Sequence, residues 1–226
     1  MSTRVGLIVP SSNTVAEVDF YRHLPGTCTL HTARMYLEET TPEGESVMLD
    51  EHLPTTAADL ATARPDVVVF ACTSAGALRG NAYEADLIER LSAKIGAETI
   101  SVAAAVRRVL AARGARRVGV VTPYIESLNE RIATSLETDG FEVTAIHGLG
   151  ITANFAIAAV QPERIGGFAV ETLAGQELDL VFLSCTNFRA LEAREHVERA
   201  LGVPVVTSNS AALEAVGDRI QATVSA

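Results

Sequence analysis

Asp66-Val67-Val68-Val69-Phe70-Ala71-Cys72-Thr73-Ser74 decides how this chain folds, because its design returns 113 residues later as Asp179-Leu180-Val181-Phe182-Leu183-Ser184-Cys185-Thr186-Asn187. Each stretch is an apolar run without alternation, the pattern of a strand covered on both faces. Each run ends in Cys-Thr followed by a small polar residue. The same offset lays Arg4-Val5-Gly6-Leu7-Ile8-Val9-Pro10 over Arg117-Val118-Gly119-Val120-Val121-Thr122-Pro123, and Ala77-Leu78 over Ala190-Leu191. One register shared by separate segments indicates two similar halves, each presenting one thiol.

Outward from these runs, short β-branched stretches alternate with longer helical patterns, as in a parallel sheet with crossover helices. Strands are expected at 5–9, 30–35, 67–71, 99–102, 118–121, 142–147, 180–184 and 205–207. Helices are expected at 14–23, 46–64, 82–95, 104–113, 127–139, 162–175, 190–201 and 211–220, with Gly114 and Gly140 as C-terminal stops. The fold expected is α/β, with two pseudo-symmetric domains. Each is a mainly parallel four-stranded sheet flanked by helices, and the active site lies in the interdomain cleft. The halves divide into 1–96, carrying Cys72, and 97–208, carrying Cys185, with a helix over 209–226 packing back on the first half.

Composition narrows the function. A chain of 226 residues that is 48% apolar can build a real core. Its net charge of −10 argues against nucleic acid or an anionic membrane as partner, though not against an anionic substrate met by local donors. No apolar run reaches the roughly 18 residues of a membrane span. Met1 leads into a strand pattern without the charged and apolar regions of a signal peptide, so a cytoplasmic location is expected. Three cysteines are poor disulfide material. Without CxxC or HxxxH spacing, and with His23, His31, His52, His147 and His196 scattered, no metal site is expected.

The chemistry-bearing residues gather at the expected carboxyl ends of strands, where ligands bind in such folds. One buried cysteine is more often packing than catalysis. Two at repeat-equivalent positions reverse that reading, so Cys72 and Cys185 are the candidate catalytic residues. Ser74 and Asn187 stand where a helix is expected to begin, and peptide N–H groups there lower a thiol pKa and accept anions. Cys28, between Thr27 and Thr29 with no repeat partner, reads as structural. Pro10-Ser11-Ser12-Asn13-Thr14 is donor-rich. One such residue suffices for an N-cap, and four in a row favour a carboxylate clamp including Ser12 and Asn13. Tyr124 suits a carboxylate ligand or a lid over the core equally. Gly148-Leu149-Gly150-Ile151-Thr152-Ala153 matches GxGxxA formally, but no acid ends a following strand, and the match is read as accidental. Asn154, just beyond, can face the cleft.

At the paired Cys-Thr motifs the chain resembles the aspartate/glutamate racemase superfamily, over nearly its whole length. Within it, the chain looks most like the branch of maleate cis-trans isomerase and arylmalonate decarboxylase. Val9-Pro10-Ser11-Ser12-Asn13-Thr14, Thr122-Pro123-Tyr124 and Asn154 match the isomerase. Thr41-Pro42-Glu43-Gly44, Thr73-Ser74, Tyr124-Ile125 with Asn129-Glu130-Arg131, and Leu149-Gly150-Ile151-Thr152 are similar to the decarboxylase. The decarboxylase, however, has glycine at the position of Cys72 and lacks the Ser-Ser-Asn-Thr loop. The isomerase is usually apolar where Thr73-Ser74 is polar.

The resemblance implies a cofactor-independent two-cysteine isomerase of a small dicarboxylate, with maleate to fumarate the leading reaction. Cys72 would add to the alkene and Cys185 act as acid and base. Ser12, Asn13, Thr73, Ser74, Tyr124, Asn154 and Thr186 would bind the substrate. Racemisation of an amino acid or hydantoin and arylmalonate-type decarboxylation are the alternatives on the same site. A non-catalytic small-acid binding protein is the alternative of another class. A homodimer is implied by the resemblance alone.

Overall fold

A computed structural model gives the fold of residues 2–224. Eight strands form two four-stranded sheets in which every neighbouring pair is parallel. In the first, β1 (Thr3–Pro10) lies between β2 (Cys28–Met35) and β3 (Val67–Phe70), with β4 (Glu98–Ser101) beyond β3. The second repeats the order: β5 (Arg117–Thr122) lies between β6 (Glu142–Gly148) and β7 (Leu180–Leu183), with β8 (Val205–Thr207) outermost. The duplication read from sequence is thus a duplication of topology. In each sheet the winding reverses beside the central strand, which puts a crevice beyond the carboxyl ends of β1 and β3, and of β5 and β7.

The helices are α1 (Ala16–His23), α2 (Pro42–Val47), α3 (Leu53–Ala61), α4 (Thr73–Ala77), α5 (Asn81–Ile95), α6 (Val102–Ala112), α7 (Glu126–Thr138), α8 (Asn154–Ala158), α9 (Pro162–Leu173), α10 (Ala190–Leu201) and α11 (Ser208–Val224). The helix expected at 46–64 starts earlier. Thr41 Oγ1 accepts from the Gly44 N–H at 3.1 Å and Pro42 occupies the first turn, both helix-starting devices. A π-helical stretch, Met48–His52, then joins α2 to α3.

Residues of β3 explain the unbroken apolar run. Val67 and Val69 pack with Val5, Leu7, Phe20, Ala212 and Val216 on one face. Val68 and Phe70 pack with Ile8, Leu53, Leu60 and Leu87 on the other. Each such side chain contributes about 1.5–3 kcal/mol by leaving water, and a charge placed on either face would be stranded. Ala212 and Val216 belong to α11, which lies against α1, α6, β3 and β4. The C-terminal helix therefore covers the first sheet, and residues 225–226 of the expected 209–226 lie outside the described residues. The boundary expected at 96 is corrected. β4 pairs with β3 from Val67↔Glu98 to Phe70↔Ser101, so the first sheet runs on past it.

The halves are tied below the site. Arg107 of α6 reaches Glu84 of α5 at 2.5 Å and Asp139 after α7 at 2.7 Å, and donates to Ser135 Oγ at 3.0 Å. Removing one partner of so buried a pair strands a charge and costs about 3–5 kcal/mol, so the network fixes how the halves meet.

Candidate active site

Both Cys-Thr motifs end at one small, closed cavity between the halves, with barely the room that a single water takes. Cys72 and Cys185 line it together with Asn13, Thr73, Ser74, Tyr124, Asn154 and Thr186. Ser12 does not line it. Its hydroxyl donates to Leu37 O at 2.5 Å and accepts from Asn154 Nδ2 at 2.8 Å, so it stands behind the cavity and orients Asn154.

The two thiols are held differently. Cys72 is extended (φ −139°) and caps α4, whose Gly76 N–H donates to Cys72 O at 3.1 Å. Cys185 has φ +115°, a conformation non-glycine residues rarely adopt and that costs of order 1–3 kcal/mol. The Cys185 N–H donates to Ser208 Oγ at 2.9 Å, and the Asn187 N–H donates to Cys185 Sγ at 3.3 Å. Ser208 also accepts from Thr73 Oγ1 at 2.8 Å, so one hydroxyl at the start of α11 connects both motifs. Contrary to expectation, no helix begins at Asn187, and α10 starts only at Ala190.

Donors from both halves close over the thiols. Asn13 Oδ1 accepts from the Val15 and Ala16 N–H groups at 3.0 Å each, while its Nδ2 donates to Thr186 Oγ1 at 3.0 Å. Capping and cleft-facing readings therefore both hold for Asn13. The Thr14 N–H donates to Asn187 Oδ1 at 2.9 Å, and Asn187 Nδ2 donates to Asn154 O at 2.6 Å. Thr40 Oγ1 donates to Asn154 Oδ1 at 3.1 Å, beside an antiparallel bridge between Glu39 and Ala153. Tyr124 is set by Gly148 at the end of β6, where a Cβ would come within 2.2 Å of Tyr124 O. Gly148 and Gly150 thus shape this turn, in line with reading their GxGxxA match as accidental.

Electrostatics here reverse one expectation. Burial outweighs the peptide N–H groups, pushing the Cys185 thiol up to about 12 and the Cys72 thiol well above its ordinary value. The nearby Glu45 carboxyl raises both, whereas the Tyr124 hydroxyl, hydrogen-bonded to Cys185, pulls that thiol down. Tyr124 itself is pushed well up, again by burial.

Glu45, like Thr40, is a cavity residue that sequence reading missed. It is fully buried on α2, lines the cavity, and accepts a hydrogen bond from Ser74 Oγ on Oε1, while Oε2 has no partner. Burial pushes its carboxyl up to about 8, against the opposing hydrogen bond from Ser74. A signal was present: Glu45 shares the helical face of Met48 and Leu49, an acid on an apolar stripe. Among the described residues, no Lys, Arg or His lines the cavity.

Arylmalonate decarboxylase is the family that matches, over residues 5–225. The arylmalonate decarboxylase of Bordetella bronchiseptica is 33% identical over 208 residues, spanning 92% of this chain and 86% of its own. The maleate isomerase Iso from Pseudomonas putida S16 superposes with a TM-score of 0.91 at 30% identity, covering 98% of this chain and 94% of that one. A cysteine-to-serine variant of the Nocardia farcinica maleate cis-trans isomerase, solved with a covalently bound succinylcysteine intermediate, gives a TM-score of 0.88 at 27% identity, covering 98% and 94%.

Proposed function

The chain belongs to the arylmalonate decarboxylase family, and we propose that it is a cofactor-independent isomerase converting maleate to fumarate. The observation that carries this reading is the pair of thiols, Cys72 and Cys185, brought to one cavity from equivalent strand ends. An isomerase uses both thiols. A decarboxylase needs a single proton donor, which leaves Cys72 without a task.

In the proposed cycle, Cys72 gives up its S–H proton to solvent once substrate has entered the open site, and adds as thiolate to one alkene carbon. Cys185 gives its S–H proton to the neighbouring carbon. The result is a succinyl thioether on Cys72, of the kind trapped in the N. farcinica relative. The former double bond is now single and rotates. Cys185 then takes a proton back from the same carbon as the C–S bond breaks, giving fumarate, the Cys185 thiol and a Cys72 thiolate that regains its proton from solvent as the product leaves. Covalent addition divides one prohibitive rotation into feasible steps. Asn13, Tyr124, Asn154 and Thr186 are neutral donors suited to the two carboxylates. Thr73 and Ser74, with the peptide N–H groups behind them, suit the enolate-like charge that builds during addition.

Substrate must enter by parting the Asn13–Thr186 and Glu38–Asn154 contacts, so opening and closing of the halves belongs to the cycle. The same reading makes the protein a cytoplasmic homodimer. No helix among the described residues is long and apolar enough to cross a membrane.

Arylmalonate-type decarboxylation is the second reading, favoured by the polar Thr73-Ser74 segment and by the identity to the Bordetella enzyme. Proton NMR of the enzyme with maleate, D-aspartate and phenylmalonate in D₂O decides. Fumarate formation supports the proposal. α-Deuteration of aspartate would establish a racemase instead, loss of carbon dioxide from phenylmalonate a decarboxylase, and binding without change a non-catalytic receptor.

A further inference from the structure

We propose that Glu45 is a further catalytic residue of this cavity: a neutral carboxylic acid whose Oε2–H donates a hydrogen bond to a substrate carboxylate, so that the substrate binds together with one proton. This rests on the reading that the cavity takes a small carboxylate, and not on which reaction follows.

One oxygen of Glu45 is unmatched. Glu45 is fully buried, its Oε1 is taken by the Ser74 hydroxyl, and its Oε2 has no partner. A carboxylate there would be an unpaired buried charge, because no Lys, Arg or His among the described residues lines the cavity. Burying such a charge costs several kcal/mol, and a group in that position takes up a proton instead. The protonated form turns Oε2 from an orphan acceptor into a donor in search of an acceptor. Around it, Asn13, Asn154 and Tyr124 carry neutral donors, held by Thr186, Ser12 and Cys185 in the closed site, that can turn to an anion.

The surrounding titratable groups agree. Cys72, Cys185 and Tyr124 face Glu45 across the cavity, and burial holds all three in their neutral forms. Glu39 on the adjoining turn and Glu43 on α2 are exposed and do not line the cavity. The substrate therefore brings the first full negative charge to the site. An ionised Glu45 would repel it, while a protonated one binds it.

Burial places the Glu45 ionisation at about 8, so the residue is mainly protonated at neutral pH and charged on the alkaline side. Above that point, binding of the substrate anion takes one proton from solvent onto Glu45. No bond in the substrate is made or broken by this step. Glu45 is thereby distinct from the thiols: its proton governs affinity, whereas theirs govern turnover.

The test is the pH dependence of KM for whichever of maleate, D-aspartate or phenylmalonate the enzyme turns over, from one unit below pH 8 to well above it. Wild-type KM should climb about tenfold per pH unit on the alkaline side, as linkage to a single proton requires. Glu45→Gln keeps a donor but cannot ionise, and its KM should stay flat over the same range. A flat wild-type KM, or an equal climb in Glu45→Gln, would overturn the proposal. A second arm needs neither turnover nor variant. The infrared spectrum of the wild-type protein should lose a protonated-carboxyl C=O band between pH 7 and the far side of pH 8. If no such band exists near neutrality, Glu45 is ionised and the proposal fails. Failure of maleate to isomerise leaves both arms intact and counts only against the isomerase reading.

Discussion

Asn13 of the first half and Thr186 of the second are hydrogen-bonded across the cleft, Asn13 Nδ2 to Thr186 Oγ1 at 3.0 Å, while the other end of the same amide caps α1. One side chain thus serves stability with its oxygen and the cavity with its nitrogen, and the two jobs can be separated. Asn13→Asp keeps the capping acceptor but replaces the donor with a charge facing the substrate. KM should rise by tenfold or more with little change in melting temperature. Asn13→Ala should in addition lose the cap, about 1 kcal/mol of stability. Steady-state kinetics and thermal denaturation of both variants check the division.

The thiols predict a different asymmetry. Cys72→Ser should abolish isomerisation and form no thioether on maleate, because the adduct is built on that sulfur. Cys185→Ser should hinder the proton removal that accompanies C–S cleavage, while water can still protonate the adduct, so a succinyl thioether should remain attached at Cys72. Intact-mass spectrometry after incubation with maleate reads both outcomes. Cys72→Gly should remove isomerisation while sparing any decarboxylation of phenylmalonate, since that reaction needs Cys185 alone.

Burial of the two site thiols has a chemical consequence. With Cys185 pushed up to about 12 and Cys72 higher than usual, neither is appreciably thiolate at pH 7 in the closed cavity. Cys28, half-buried at the start of β2, should therefore be the first cysteine alkylated by iodoacetamide. Modification of Cys72 and Cys185 should accelerate with pH and slow when substrate is present. Peptide mapping over a time course would show the order. Rapid labelling of both cavity thiols at neutral pH would mean that the halves stand open in solution.

Glu45 also shapes stability against pH. Its folded pKa, about 8, lies above the ordinary 4.5, so between those values the folded chain holds a proton that the unfolded chain has released. Stability from this group is fully present below pH 4.5 and is lost as pH rises toward 8, by at most about 1.4 kcal/mol per unit. Denaturant titrations at a series of pH values should show that loss in the wild type. Glu45→Gln should flatten it, and a wild-type curve that rises through the same window would contradict the assignment.

Much of this protein was legible in one dimension. The offset linking Val67-Val68-Val69-Phe70 to Leu180-Val181-Phe182-Leu183 carried the duplication, and both runs became central strands, because a side chain facing a covered surface on either side must be apolar. The polar residues just after those strands fell at the cavity for the same topological reason. The limits were equally physical. Position 96 looked like a boundary because helix α5 ends there, but which sheet the next strand joins depends on pairing that no local pattern records.

Sequence by itself determined two related halves, a thiol at the end of each, and a ring of neutral donors around them. Only the tertiary structure decided how those groups behave. Folding removed water from Cys72, Cys185 and Tyr124, so desolvation overrode the helix-end N–H groups that local reasoning had credited with lowering the thiols. It split the donor loop, giving Asn13 to the cavity and Ser12 to the support of Asn154. It also turned Glu45, one acid among many in an acidic chain, into a buried carboxyl beside the two cavity sulfurs. The reason is common to all three: charge state and orientation depend on what surrounds a group in space, and those neighbours are brought together from distant parts of the chain.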